Sequence, residues 1–385
     1  MSKFVLKSGL NFLLIIAFLG VLTLFYYLLA DKILIKDTFA TSPVNTPMEE
    51  QLIEDTENRT KWVYEFGEDD VALIYPTLNG SDRVVYVGIN KTLHAIDKEK
   101  GKKLWQYTVP DMIIGKPIIK GNSVYFLAGN KLYAVDGNGE LQWNYQANAN
   151  IEPSLMMDNG VLYFGSADNK LQAVSQRGHL LWSIDISGKI LAPPAASEGK
   201  LYFGSSSKHI YGVDGNNGQI IWKVSVRGEV QNTPVVADGT MYFTSVVVPT
   251  ESTKLESYLY AVNTQNGNLK WRNNHKELWL TNPIYYNQLI YAGDTNGKLY
   301  TYECKWGQKQ WEFQKEDQQM LSPMIVGTTA FFQNNNHHLF VVDIVSGNLM
   351  WEAVIEGVIK TPPIIDQDYI YFYSNGRVCA LKNKV

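Results

Sequence analysis

From residue 60 onward, short apolar runs recur in a fixed order, separated by small, polar or turn-forming residues. Each unit has an apolar–aromatic step: Val85-Tyr86, Val124-Tyr125, Leu162-Tyr163, Leu201-Tyr202, Met241-Tyr242, Ile290-Tyr291, Ala330-Phe331 and Ile370-Tyr371. A second run then usually ends on a small residue, as in Leu132-Tyr133-Ala134, Ile210-Tyr211-Gly212 and Leu259-Tyr260-Ala261. Asp97, Asp136, Asp214 and Asp343 recur just after it, in phase, where a carboxylate caps a turn by accepting backbone N–H groups. Gly101, Gly139, Gly178, Gly218, Gly267, Gly307 and Gly347 come next, each four residues before a Trp. Gly is the residue for a tight, positive-φ hairpin turn. Pro117, Pro194, Pro234, Pro283, Pro323 and Pro363 precede the aromatic steps, a placement that suits the first residue of a strand. The pattern predicts units of four short antiparallel strands.

The period is about 40 residues. Its marks are Trp62, Trp105, Trp143, Trp182, Trp222, Trp271, Trp311 and Trp351, whereas Trp279 and Trp306 are out of phase. One four-stranded sheet cannot bury both faces, but neighbours stacked around an axis can. Residues 357–385 supply three strands and no Trp, and residues 60–66 (TKWVYEF) supply a Trp strand with nothing before it. The two ends therefore complete one blade, and the expected fold is all-β: an eight-bladed β-propeller of four-stranded antiparallel blades, closed by an N-terminal strand. Each Trp is expected to fill the wedge between neighbouring blades, with the small residue of the second run making room.

The N-terminus follows a different pattern. Residues 10–30 form an apolar run without charge, long enough as a helix to cross a hydrocarbon core of ~30 Å. It exceeds the ~7–15 apolar residues of a secretory signal peptide. No Cys lies near its end for lipid attachment. Lys3 and Lys7 precede the run unopposed, whereas Asp31 and Asp37 offset Lys32 and Lys36 after it. The reading is a transmembrane signal anchor with residues 1–9 cytoplasmic, a polar linker over 31–58, and the propeller over 59–385, in the periplasm or outside the cell.

Composition narrows the function classes. Net charge is −4, pI is about 5.9, and no basic run stands out. Nucleic-acid binding, which draws on phosphate neutralisation, is not expected. The two cysteines, Cys304 and Cys379, fall in units six and eight, too far apart in the repeat for a disulfide. His337 and His338 lack a third ligand type nearby and read as a solvated hairpin.

The strings LYAVDGNGELQW (132–143), IYGVDGNNGQIIW (210–222) and LYAVNTQNGNLKW (259–271) resemble the tryptophan-docking repeat of the PQQ-like propellers. The resemblance covers nearly all of residues 60–385. It implies the propeller fold and two functional classes. Quinoprotein alcohol dehydrogenases bind pyrroloquinoline quinone and calcium, and an adjacent Cys pair is usual there. The outer-membrane assembly factor BamB is a cofactor-free scaffold that docks on a protein partner through long inter-blade loops. Size and topology here resemble the second class. The departures are an apolar anchor in place of a lipid, and short joints between blades, so no docking residue carries over. No cofactor and no metal are expected.

One irregularity remains. The interval from Trp222 to Trp271 is longer than the others, and the surplus falls in 246–257 (VVVPTESTKLES). An insertion in a rigid repeat is where function tends to lie. Val246, Val247, Val248, Pro249, Thr250, Glu251, Lys254 and Leu255 are the candidate partner loop. The expected function is a non-catalytic, membrane-anchored scaffold for protein partners of the cell envelope. The alternatives are a quinoprotein-type dehydrogenase or ligand-binding subunit, and an extracytoplasmic sensor domain.

Overall fold

The computed structural model describes residues 59–66, 77–249, 254–279, 281–314, 323–333, 337–355, 357, 359, 363–366 and 368–383. Contacts divide the chain into Met1–Glu50 and Gln51–Val385, and every described residue lies in the second unit. The expected anchor (10–30), the linker, and Thr250 and Glu251 of the partner loop fall outside the described residues. Among those residues no helix is long and apolar enough to cross a membrane.

Among the described residues, thirty-two strands form eight sheets of four, all with antiparallel neighbours. Blade 1 is Thr77–Gly80, Val84–Ile89, Thr92–Asp97 and Lys103–Thr108. Blades 2 to 7 follow in chain order. Blade 8 is Ile364–Ile365, Tyr369–Ser374 and Arg377–Lys382, completed by Thr60–Glu65. Residue 60 thus pairs with the C-terminal strand, with Thr60 opposite Leu381, Trp62 opposite Ala380 and Val63 opposite Cys379. The ring closes by joining the start of the propeller to its finish, which leaves no terminal sheet face to cap.

The burial of each strand follows its place in the blade. First strands of adjacent blades touch at several junctions, as Thr77–Gly80 does with both Ile113–Lys120 and Ile364–Ile365, which puts them nearest the axis. Second and third strands are apolar on both faces, because each sheet is covered on both sides. In blade 1 Val85, Val87, Ile89, Leu93, Ala95 and Ile96 are all fully buried. Outermost strands alternate, as in Leu180–Asp185 of blade 3, since one face meets solvent. Each outer strand of blades 1 to 7 also carries a β-bulge just before its Trp. In blade 3 Trp182 faces Ala173 and Leu180 faces Val174, so Leu181 is the extra residue. Two successive side chains, Leu180 and Leu181, therefore point outward.

The prolines behave differently from one another. Pro194, Pro234, Pro283, Pro323 and Pro363 lie directly before their strands rather than in them. Pro117 sits inside Ile113–Lys120, where the register shifts between Ile114 and Ile118. The irregularity spares the ladder from needing its missing N–H.

Candidate interaction surfaces

The repeated residues are engaged in holding the ring. In six blades the Trp reaches the turn of the next blade. Trp62 Nε1 donates to the Lys98 carbonyl at 2.8 Å, and Trp105 to Gly137 at 2.8 Å. Trp143, Trp182, Trp222 and Trp271 donate to Gln176, Gly215, Thr264 and Cys304 at 2.8–3.0 Å. The indole also lies against the turn glycine of that next blade. A Cβ on Gly101 would stand 2.5 Å from Trp62, and one on Gly307 2.6 Å from Trp271. Within its own blade the Trp faces Ala or Gly in six blades, whereas Trp311 faces Thr301 and Trp351 faces Val341; Gly212 opposite Trp222 leaves only 2.4 Å for a Cβ. A Tyr of the second strand packs beside it, as Tyr202 does at 6.1 Å from Trp222. The two last wedges differ. Trp351 lies under the Arg59 guanidinium at 3.9 Å and its Nε1 has no hydrogen-bond partner among the described residues, and a Cβ on Gly347, the turn glycine after Trp311's blade, would meet nothing within 4 Å.

The recurrent aspartates are likewise committed. Asp97 Oδ1 accepts the amides of Glu99 and Lys100, Asp136 Oδ1 those of Asn138 and Glu140, Asp214 Oδ1 that of Asn216, and Asp343 Oδ1 those of Val345 and Ser346. These carboxylates, spread one per blade, do not converge on a calcium site. Cys304 and Cys379 lie on different blades and form no disulfide, and burial pushes the Cys304 thiol pKa up. Among the described residues, neither the two separated cysteines nor the turn-capping aspartates form the adjacent Cys pair or the calcium cluster that the resemblance to the dehydrogenase class would imply. Among the described residues no group of three His, Cys, Asp or Glu could hold a metal. His337 is exposed in a left-handed turn, and His338 stacks on Phe340.

The insertion in blade 5 is less a loop than a lengthened hairpin. Thr240–Val247 and Glu256–Asn263 run eight residues each, and Val246 pairs with Ser257 and Val247 with Glu256. Val246 and Val247 are half-buried, and Val247 packs against the seam between blades 4 and 5. They brace the hairpin, so of the expected apolar stem only Val248 is exposed. Pro249 and Lys254 are exposed and Leu255 is half-buried. At the base, Glu256 pairs with Arg227 at 2.6 Å and accepts the Tyr258 hydroxyl at 2.6 Å.

A second irregularity was invisible in the spacing. Trp279 bridges to Asp294 at the entrance to blade 6, where other blades place Ile151 against Ser166 and Ile359 against Ser374. His275 Nε2 lies 3.0 Å from Asp294 Oδ2, and its ring stacks on Trp279 at 4.2 Å. Burial would raise the Asp294 pKa. The His275 contact and the amides of Lys298 and Asn296 outweigh it and hold the carboxyl below its ordinary value. Next to this seam burial pushes the Tyr302 phenol up to about 12. The one sequence signal was a Trp out of phase.

No curated protein matches the sequence. Among solved structures, BamB from Moraxella catarrhalis is similar, with a TM-score of 0.66 at 14% identity, over 84% of this chain and 99% of that one. The computationally designed protein Ika8 is similar to the same degree, with a TM-score of 0.67 at 13% identity, over 80% and 95%. At those identities the likeness speaks for the fold alone. The family described as outer membrane protein assembly factor BamB matches over residues 71–189 and 167–384. That match takes in most of the chain, and the chain belongs to this family of PQQ-like β-propellers.

Proposed function

We propose that this protein is a non-catalytic scaffold of the cell envelope that holds a protein partner against the rim of its propeller. The observation that carries this reading is the lengthened hairpin of blade 5. It lengthens one hairpin of the repeat, and its base is fixed by Val246–Ser257 and Val247–Glu256 pairing and by the Arg227–Glu256 ion pair. A rigid stem bearing an exposed Val248 and Pro249 suits a contact element. Membership in the BamB family supports a role in envelope protein assembly. The engagement of the recurrent Trp, Gly and Asp in ring packing supports a role without chemistry or cofactor. Residues 10–30 would tether the ring to the membrane through the linker 31–58, with the propeller on the far side from a short cytoplasmic N-terminus.

The test is site-specific photo-crosslinking in native cells. A photoreactive residue at Val248 should trap one defined protein, identified by mass spectrometry, and the same residue at Leu104 on blade 1 should not. Replacing residues 249–255 by Asn-Gly should abolish the adduct at unchanged melting temperature. Equal adducts at both sites would remove the hairpin from the contact.

A further inference from the structure

The two ends of the propeller are built from different connections. Turns that join first to second and third to fourth strands gather at one end, because neighbouring strands are antiparallel. In blade 6 the Cys304 amide donates to the Gln288 carbonyl at 3.0 Å, tying two such turns together. The joints between blades and the lengthened hairpin lie at the other end, where Glu229 pairs with Val246. Thr60–Glu65 is the outermost strand of blade 8, and outermost strands start at the turn end. Just before it, Arg59 Nη2 donates at 2.9 Å to the carbonyl of Lys382, the last residue of the third strand. The chain therefore enters the propeller at its turn end.

That end carries one apolar cluster. Among the described residues, the exposed large apolar side chains other than Val248 lie on outermost strands, save three: Tyr286, Trp306 and Val345, at the turns of adjacent blades 6 and 7. The repeat supplies the comparison. Trp306 stands just before its turn glycine, where other blades place Lys100, Asn138, Arg177, Asn217, Asn266 and Ser346. Tyr286 faces Leu289 at the close of the first hairpin, where blades 2 to 5 place Lys120, Asp158, Ser197 and Ala237, and blade 7 a half-buried Val326. Val345 stands two residues before its glycine, a place held elsewhere by polar residues or Gly. Trp306 is 65% exposed, with Lys305 Nζ at 5.2 Å from its ring. Its turn is fixed by the Gly307 amide on the Glu303 carbonyl and the Glu303 amide on the Gln308 carbonyl, both at 2.9 Å. The indole is thus held out at the tip of a rigid turn.

Trp and Tyr, apolar bodies with a polar edge, suit the headgroup layer of a membrane, and a neighbouring Lys suits its phosphates. Size argues against a protein in this place. Taking ~250 Å² for a whole Trp, the exposed parts of the three side chains sum to on the order of 300 Å², against the ~800 Å² that each side of a stable protein interface buries. A lipid contact at the end where the chain's own tether enters needs less, because a flexible linker supplies an effective concentration of the order of millimolar.

We infer that the turn end of blades 6 and 7, through Tyr286, Lys305, Trp306 and Val345, rests in the headgroup layer of the membrane that holds residues 10–30. The inference rests on the anchor reading of residues 10–30 and adds an orientation to it. The turn end lies on lipid, and the blade 5 hairpin with Val248 is turned away toward a protein partner.

The full chain, reconstituted in phosphatidylethanolamine–phosphatidylglycerol vesicles with or without phosphatidylcholine brominated near its headgroup, tests this by Trp emission after flotation. Residues 10–30 contain no Trp, so quenching by the brominated lipid reports on the propeller. Part of the emission should be quenched, and W306F should lose that part. Y286S/V345S, which keeps the indole, should weaken the quenching, and a melting curve accompanies each variant. In V248W/W306F the indole introduced at the opposite end should stay unquenched. Flotation with equal quenching in the wild type and W306F, or quenching of the indole introduced by V248W, would overturn the inference and leave the anchor reading intact. A photoreactive residue at position 306 that traps a protein in native cells, rather than phospholipid, would overturn it as well. A chain that fails to float would overturn the anchor reading and this one with it.

Discussion

The Trp62 indole donates its N–H to the carbonyl of Lys98 at 2.8 Å, across the boundary between blade 8 and blade 1. Trp62 itself lies in the strand by which the propeller's start pairs with its finish, opposite Ala380. Lys98 strengthens the same boundary through an ion pair with Asp366 at 3.2 Å. A bond between residues close in sequence thereby fixes two blades that are far apart along the chain.

Removing that indole tests how much the closing seam contributes. Trp62 is buried against Tyr371 and Gly101. Trp62→Ala should cost about 3–5 kcal/mol in denaturant unfolding, the range for deleting a large buried aromatic. Trp306→Ala, at an exposed out-of-phase Trp, should cost little.

The turn glycines separate two effects that sequence merges. Gly307 and Gly347 share a φ of +70°, but a Cβ on Gly307 would meet Trp271 at 2.6 Å and one on Gly347 would meet nothing within 4 Å. Gly347→Ala should cost about 1 kcal/mol from backbone strain alone. Gly307→Ala should cost a further ~1–3 kcal/mol from overpacking. Equal losses would mean that the indole contact is unimportant.

Much of this was legible because repetition magnifies weak local signals. Seven glycines before seven tryptophans, and aspartates in phase, announce turns and strands that a single copy would not. The partners across the seams were not legible. Nothing in the spacing says that Trp271 packs on Gly307, because periodicity fixes a place within a blade and not a neighbour. The hairpin was half legible: the surplus residues were countable, but pairing of Val246 and Val247 with Ser257 and Glu256 turns part of an expected loop into strand.

The turn caps make a milder prediction. Asp136 Oδ1 accepts two amides, at 2.9 and 3.0 Å. Asp136→Ala should lower stability by about 1 kcal/mol, and Asp136→Asn, which keeps an acceptor oxygen, by less. Urea unfolding resolves both.

The seam at blade 6 has a pH signature. The Asp294 carboxyl has its pKa lowered in the folded state, so it binds its proton more readily when unfolded. Its stabilising contribution is complete above the ordinary carboxylate range and is lost as pH falls through the folded value. Asp294→Ser, which matches Ser166 and Ser374 at the equivalent bridges, should flatten the acid limb of a plot of stability against pH. An unchanged acid limb would contradict the assignment.

Closure of the ring, on which every surface described above depends, is most directly tested by joining its ends. Val63 stands opposite Cys379, which is in no disulfide, in the pairing of Thr60–Glu65 with Arg377–Lys382. Directly opposed antiparallel residues lie within the span of a disulfide. In Val63→Cys, mild oxidation should form an intramolecular bond between the introduced thiol and Cys379, seen by peptide mapping, and should raise the melting temperature. Absence of that bond, or pairing of the introduced thiol with Cys304 instead, would contradict a ring closed by its own first strand.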